Sequence, residues 1–248
     1  MKSLLDAEAA RINHKSFIEN DPVQFPRRFT EQRDIETTAL LAATIAWGNR
    51  KMICKDADKM LSMMADDPAN FIMEGAFESI PDEINIHRTF FGRNLKHWAR
   101  GLKKIFKEHG TIEAFASREG VAECEMPAWK LAVALNRELA LANKGVNDPR
   151  CLPVNVDSSA LKRLNMALRW LVRDDGIVDI GIWKVLKPSQ LFIPLDVHVG
   201  RVSREIGLLQ RKSTDAKAAV ELTEACRLMN PDDPAVYDFS LFGIGMGL

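Results

Sequence analysis

The chain has 248 residues with 34 Lys+Arg and 34 Asp+Glu, so its formal net charge is zero. That balance excludes binding to nucleic acid by bulk charge alone, and an apolar fraction of 46% excludes a mainly disordered chain. The length suffices for one large domain or two small ones, with a core that needs no disulfide or metal to hold it. Cys54, Cys124, Cys151 and Cys226 lie far apart and form no C-x-x-C pair. Zinc-ribbon, thioredoxin-type and Cys-ligated iron–sulfur chemistry therefore lack a ligand set, and neither metal nor cofactor is expected. No stretch approaches the ~18 apolar residues of a membrane span, and the N-terminus soon turns charged. The expected setting is a reducing cytoplasm with free thiols and no membrane contact.

Helical periodicity dominates in chain order. Leu5, Ala9 and Ile12 form a first stripe, followed by a loop through Pro22 and Pro26. From Asp34 an apolar helix runs to Trp47-Gly48, and another spans Arg50 to about Ala65, stopped by Asp67-Pro68. Residues 93–108 give a helix with Leu95, Trp98, Leu102, Ile105 and Phe106 on one side and Lys96, Arg100, Lys103, Lys104 and Lys107 on the other. Residues 127–144 follow, with Pro127 at the start and Gly145 past the end. Helix returns at 158–173, about 197–207, 214–229 and about 233–242. Leu191–Leu195 is the only extended-looking piece, and nothing reads as a set of strands. The expectation is an all-α protein of about ten helices, a single domain with two lobes. The central helical lobe covers 30–150, a hairpin-like and catalytic segment covers 151–207, and residues 1–29 with 208–248 make the second lobe.

Two segments carry chemistry. In the first, Asp157 or Ser158 is expected to cap the 158–173 helix, whose free amides also suit a phosphate, with Ser159 beside them. Lys162 then lies one turn in, at the border of the apolar stripe formed by Leu161, Leu164, Leu168 and Leu171. A lysine partly withdrawn from water holds its proton less tightly and can act as an amine nucleophile. In the second, Pro194 leads an extended approach that delivers Asp196 to a helix start, with His198 and Arg201 following. A carboxylate held there can orient a reactive lysine and stabilise positive charge developing on a sugar.

Pro194-Leu195-Asp196-Val197-His198-Val199 with Arg201-Val202 resembles the P-V-D-x-H-x-x-R-[VI] signature of the helix-hairpin-helix DNA glycosylases. Lys162-x-x-Asn165-x-x-Leu168 resembles the K-T-A-N-x-x-L run of their lyase-active members. The long interval between the two is similar to that of the diverged archaeal 8-oxoguanine glycosylases. The whole chain also resembles a bacterial family of unknown function with K-R-L-N-M-x-L-R-W-x-V-R and P-L-D-x-H-V motifs. The resemblance implies Lys162 as Schiff-base nucleophile and Asp196 as catalytic carboxylate. It implies removal of a damaged base, an oxidised purine first, after flipping it into a pocket between lobes. The superfamily hairpin is usually L-P-G-V-G. Leu152-Pro153-Val154-Asn155-Val156 lacks both glycines, so the helix N-terminus is expected to supply the phosphate contact.

Duplex DNA with a damaged base is thus the expected partner, met through Ser158, Ser159, Arg163, His198, Arg201, Lys96 and Arg100. Trp47, Asn49 and Arg50, at a Gly-broken corner, are the candidates for the wedge and base pocket. Residues 150–217 hold 12 Lys+Arg against 7 Asp+Glu, which suits contact along one basic strip. Plainer roles stand beside these: Lys162 as a surface lysine, Asp196 as a helix cap only, and the tryptophans as core. The basic face of 93–107 can equally be a solvated helix face. Two alternatives in other classes are a catalytically silent nucleic-acid-binding module on the same fold and a helical protein-interaction protein. Gly243-x-Gly245-x-Gly247 has neither strand before it nor helix after it, and so does not read as a nucleotide loop.

Overall fold

A computed structural model describes residues 1–248 as a mostly helical chain. It contains α1 (Lys2–Ile12), α2 (Lys15–Glu19), α3 (Gln32–Thr44), α4 (Arg50–Met63), α5 (Pro68–Glu74), α6 (Gly92–His109) and α7 (Ile112–Arg118). These are followed by α8 (Pro127–Ala142), α9 (Lys162–Val172), α10 (Val197–Glu205), α11 (Ala216–Met229) and α12 (Tyr237–Met246). The all-α expectation holds, with one small exception. β1 (Asn85–His87) and β2 (Phe90–Phe91) pair antiparallel through a tight turn in which Arg88 adopts a φ of +51°. The sequence reading missed this ladder because two or three residues are too few to show alternation.

The chain divides into two compact units. One comprises Met1–Glu19, Glu125–Trp129 and Asn155–Leu248; the other comprises Asn20–Cys124 and Lys130–Val154. In the second unit, Leu95, Trp98, Leu102 and Ile105 of α6 are all buried, so the apolar stripe read from the sequence is the core face. Gly101 lies against the Leu139 side chain, an approach a larger residue would block. Pro68 does more than stop α4: it opens α5, where its missing N–H goes unneeded.

In the first unit, α12 is the central helix, packed on α1 and on α10. Its glycines account for that. A Cβ at Gly243 would stand 2.6 Å from Ile12 Cγ1 on α1, and one at Gly245 would stand 3.2 Å from the His198 carbonyl oxygen on α10. The C-terminal glycine run is therefore a helix-packing device. Gly247 ends α12 in the left-handed conformation that glycine adopts without strain.

One boundary bears on the site. The helix expected at 158–173 begins only at Lys162. Val156–Ser158 form a 3-10 turn, and Leu161, buried and at φ +48°, occupies the position before the helix without a side-chain cap. The capping role expected of Asp157 or Ser158 is therefore corrected, and Lys162 is the first helical residue rather than one turn in. A left-handed leucine costs of order 1 kcal/mol or more and persists only where its surroundings impose it. Here Ser159 Oγ accepts from Leu161 N at 3.2 Å, Trp129 Nε1 donates to Ser159 O at 3.0 Å, and Asn165 Nδ2 donates to Ala160 O at 3.1 Å. An antiparallel bridge from Ser159 to Asp215 completes the clamp.

Candidate active site

Asp196 sits in extended backbone immediately before α10. Its Oδ1 accepts from both His198 N and Val199 N at 2.9 Å. The carboxylate is thus fixed by two backbone donors, and the buried Leu191–Leu195 approach holds it in place. Ile193 N donates to Thr223 Oγ1 of α11 at 3.0 Å, which anchors that approach. Lys162 is half-buried at the first position of α9, with Nζ 3.5 Å from Met166 Sδ one turn on.

A third group joins these two. Asp238, in the first turn of α12, is 6% exposed and accepts the Arg169 guanidinium on Oδ2. Burial pushes its carboxyl up to about 6, with the charge of Arg169 opposing that shift. The charge of Asp196 pushes it further up and that of Lys162 pulls it back. Both sequence candidates therefore lie within electrostatic reach of one buried carboxyl. Lys162 and Asp196 are 34 positions apart in the chain and belong to different helices of one compact unit.

Beneath the site lies a buried ionic network. Arg169 Nε donates to Asp179 Oδ1 at 3.2 Å while its Nη1 takes Asp238. Arg173, just past α9, pairs with Asp179, with Asp175 at 3.1 Å and with Asp233 at 2.9 Å. Asp175 also accepts from Ile177 N at 2.8 Å and from Asn13 Nδ2 at 2.9 Å. Such a network rigidifies its surroundings when fully satisfied. Sequence reasoning missed Asp238, Arg169, Arg173 and Asp179. The available signal was charge inside apolar runs, as in Leu168-Arg169-Trp170 and Tyr237-Asp238-Phe239. A charge there is buried and must be paired.

The remaining candidates in this unit are more local. Ser158 Oγ donates to Asn155 O at 3.2 Å, and Ser159 serves the clamp before α9. Arg163 is half-buried in the first turn of α9. His198 is exposed in the first turn of α10. Arg201 pairs with Glu205 at 3.0 Å and donates to Gly245 O at 3.1 Å.

In the other unit, the basic face of α6 is answered by carboxylates. Lys96 meets Asp82 at 2.6 Å, and Arg100 makes a two-pronged pair with Glu78 at 2.6 Å while donating to Asn143 Oδ1 at 3.2 Å. An open groove of about 610 Å³ runs beside this face, lined by Arg100, Lys103, Lys104 and Lys107 together with Glu78 and Glu108. The corner at Trp47–Arg50 is built tightly. Buried His87 reaches Asp56 with Nδ1 at 2.6 Å and the Trp47 carbonyl with Nε2 at 3.0 Å. Asn49 caps α4 by accepting from Met52 N at 3.2 Å, and Arg50 pairs with Asp21 at 3.0 Å. Gly48 and Asn49 are the exposed residues of the corner.

No curated protein and no solved structure matches the chain. Residues 21–247 match the model of a family described as a protein of unknown function (DUF2400). That match takes in α3 to α12 and both candidate segments, and the chain belongs to this family.

Proposed function

We propose that the chain is a DNA N-glycosylase with associated lyase activity, acting on a damaged base and first on an oxidised purine. The observation that supports this is that one compact unit holds both Asp196, fixed by two backbone donors at the head of α10, and half-buried Lys162 at the start of α9. A primary amine beside a fixed carboxylate is the pair that such chemistry requires. The Nζ lone pair forms a bond to C1′ while the glycosidic electron pair departs with the base, which takes up a proton. Asp196 stabilises the positive charge that builds on the sugar as that bond breaks. Opening of the sugar ring, with a proton to O4′ and one lost from nitrogen, leaves an imine. Loss of a C2′ proton then expels the 3′ phosphate and nicks the strand.

The specificity for an oxidised purine rests on the family resemblance alone. The paired state of Lys96, Arg100 and Arg201 is consistent with few phosphate contacts and modest, salt-sensitive affinity. The test is borohydride reduction of the full chain mixed with duplexes carrying 8-oxoguanine or an abasic site. A covalent complex is expected from the wild type and not from Lys162→Ala. Asp196→Asn should slow base release by about 100-fold or more while the protein stays folded. Absence of trapping by the wild type on both duplexes, or trapping unchanged in Lys162→Ala, overturns the reading. Salt-sensitive duplex binding without cleavage would point to a silent binding module instead.

A further inference from the structure

We propose that Trp129 is a positioning residue that fixes the lead-ins to Lys162 and to Asp196 relative to each other, by touching both with one indole. This rests on the reading of those two residues as the reactive pair. Trp129 lies in the first turn of α8 and is 5% exposed, and the segment Glu125–Trp129 belongs to the same compact unit as both lead-ins. On one side its Nε1 donates to Ser159 O at 3.0 Å, three residues before Lys162. On the other its ring meets the Phe192 ring edge-on, with centroids 5.0 Å apart at 78°, four residues before Asp196. The indole is rigid, so the spacing between these two contacts is set by its own covalent frame.

Each contact is passed on by a stiff stretch of chain. From Ser159 the backbone reaches Lys162 through Leu161, buried at φ +48° and tied by its N–H to Ser159 Oγ at 3.2 Å. A residue held in that region has little freedom to absorb a shift. From Phe192 the chain runs extended and buried through Ile193, Pro194 and Leu195 to Asp196, with φ of Pro194 fixed by its ring. Helix α11 anchors the same two stretches separately. Asp215, at its head, bridges to Ser159, and Thr223 Oγ1 accepts from Ile193 N at 3.0 Å. Those anchors stand about two turns apart along α11. Trp129 adds the direct tie between the stretches, because one side chain touches both.

The test reads local opening of the full chain by amide hydrogen exchange in NMR, with the buried Ile105 amide of α6 as internal reference. The Leu161 amide reports the Lys162 lead-in, and the His198 amide reports the hold on Asp196. Trp129→Phe keeps a ring for Phe192 and removes the donor to Ser159 O. Its Leu161 amide should exchange about 5-fold faster or more, with His198 as in the wild type. Phe192→Leu keeps an apolar side chain and removes the ring contact. It should speed exchange at His198 and, through the indole, at Leu161 as well. An unmoved Leu161 amide in either variant, or an unmoved His198 amide in Phe192→Leu, overturns the proposal. If Phe192→Leu fails to fold, Trp129→Phe decides alone. The functional arm is borohydride trapping on an abasic duplex. In Trp129→Phe the rate at saturating duplex, per folded molecule, should fall about 10-fold or more while the half-saturating duplex concentration stays the same. A variant that is only less stable would keep that rate, and an unchanged rate overturns the positioning role. Linked exchange without trapping by the wild type would keep the tie and sink the glycosylase, and trapping with unlinked exchange would do the reverse.

Discussion

Helices α6 and α9 both carry rows of cations, and they dispose of them in opposite ways. On α6 the cations point outward and meet carboxylates at the surface: Lys96 with Asp82, Arg100 with Glu78, Lys104 with Glu108. On and just beyond α9, Arg169 and Arg173 are each 4% exposed and meet aspartates that are themselves largely buried. The two look alike as sequence, since each interleaves Lys or Arg with a leucine and tryptophan stripe. The energetic consequences differ. A surface pair gains little over hydrated ions, while a buried pair becomes indispensable once its charges have left water. The contrast favours α9 over α6 as the functional face, because there both members of a pair are withdrawn from water.

The largest effect that tests this contrast is on α9. Arg169→Ala leaves Asp238 without its guanidinium and Asp179 with only one, and should cost about 3–5 kcal/mol in urea unfolding. A loss below about 1 kcal/mol would make the two helices equivalent after all. Next comes pH. The folded state holds the Asp238 proton more tightly than the unfolded chain, since its carboxyl is pushed up from 3.8 to about 6. Its contribution therefore favours folding at low pH, declines as pH rises from about 4 to 6, and is a full penalty above that. Relative to Asp238→Asn, the wild type should lose up to about 3 kcal/mol across this window. A flat difference between the two stability curves would contradict it. Carboxylates held low by their partners, such as Asp175, act in the opposite sense and cancel in that comparison.

A smaller effect tests the helix that carries Asp238. Gly243→Val pushes a branched side chain into Ile12 and should cost about 1–3 kcal/mol, seen as a lowered Tm. The smallest effect belongs to α6. Arg100→Ala breaks an exposed pair with Glu78 and should change stability by about 1 kcal/mol or less. A larger change would show that the α6 face is more than solvated surface.

The helices were legible to different depths. The stripes of α1 and α6 were read correctly because a single apolar period, repeated along the helix, leaves little ambiguity. The start of α9 was misread because Ser158 and Asp157 are ordinary cap residues, whereas the true start follows a left-handed leucine imposed from outside the segment. Asp196 was legible as a cap because its partners are its own neighbours, His198 and Val199. The glycines of α12 were legible only as what they are not. Their partners, Ile12 of α1 and His198 of α10, come from two other helices distant in sequence.

By itself the sequence determined the helical class, the stripes that become core, the lack of a cysteine ligand set and the two short segments that hold Lys162 and Asp196. Each of these depends on spacing within a turn or two, which local sterics and burial enforce. Only the tertiary structure decided that Asp238 is buried against Arg169, that Arg169 and Arg173 sit inside an aspartate network, and that Lys96, Arg100 and Lys104 of α6 are already paired. Those outcomes depend on which residues from distant parts of the chain remove each other's water. No period within the sequence encodes that.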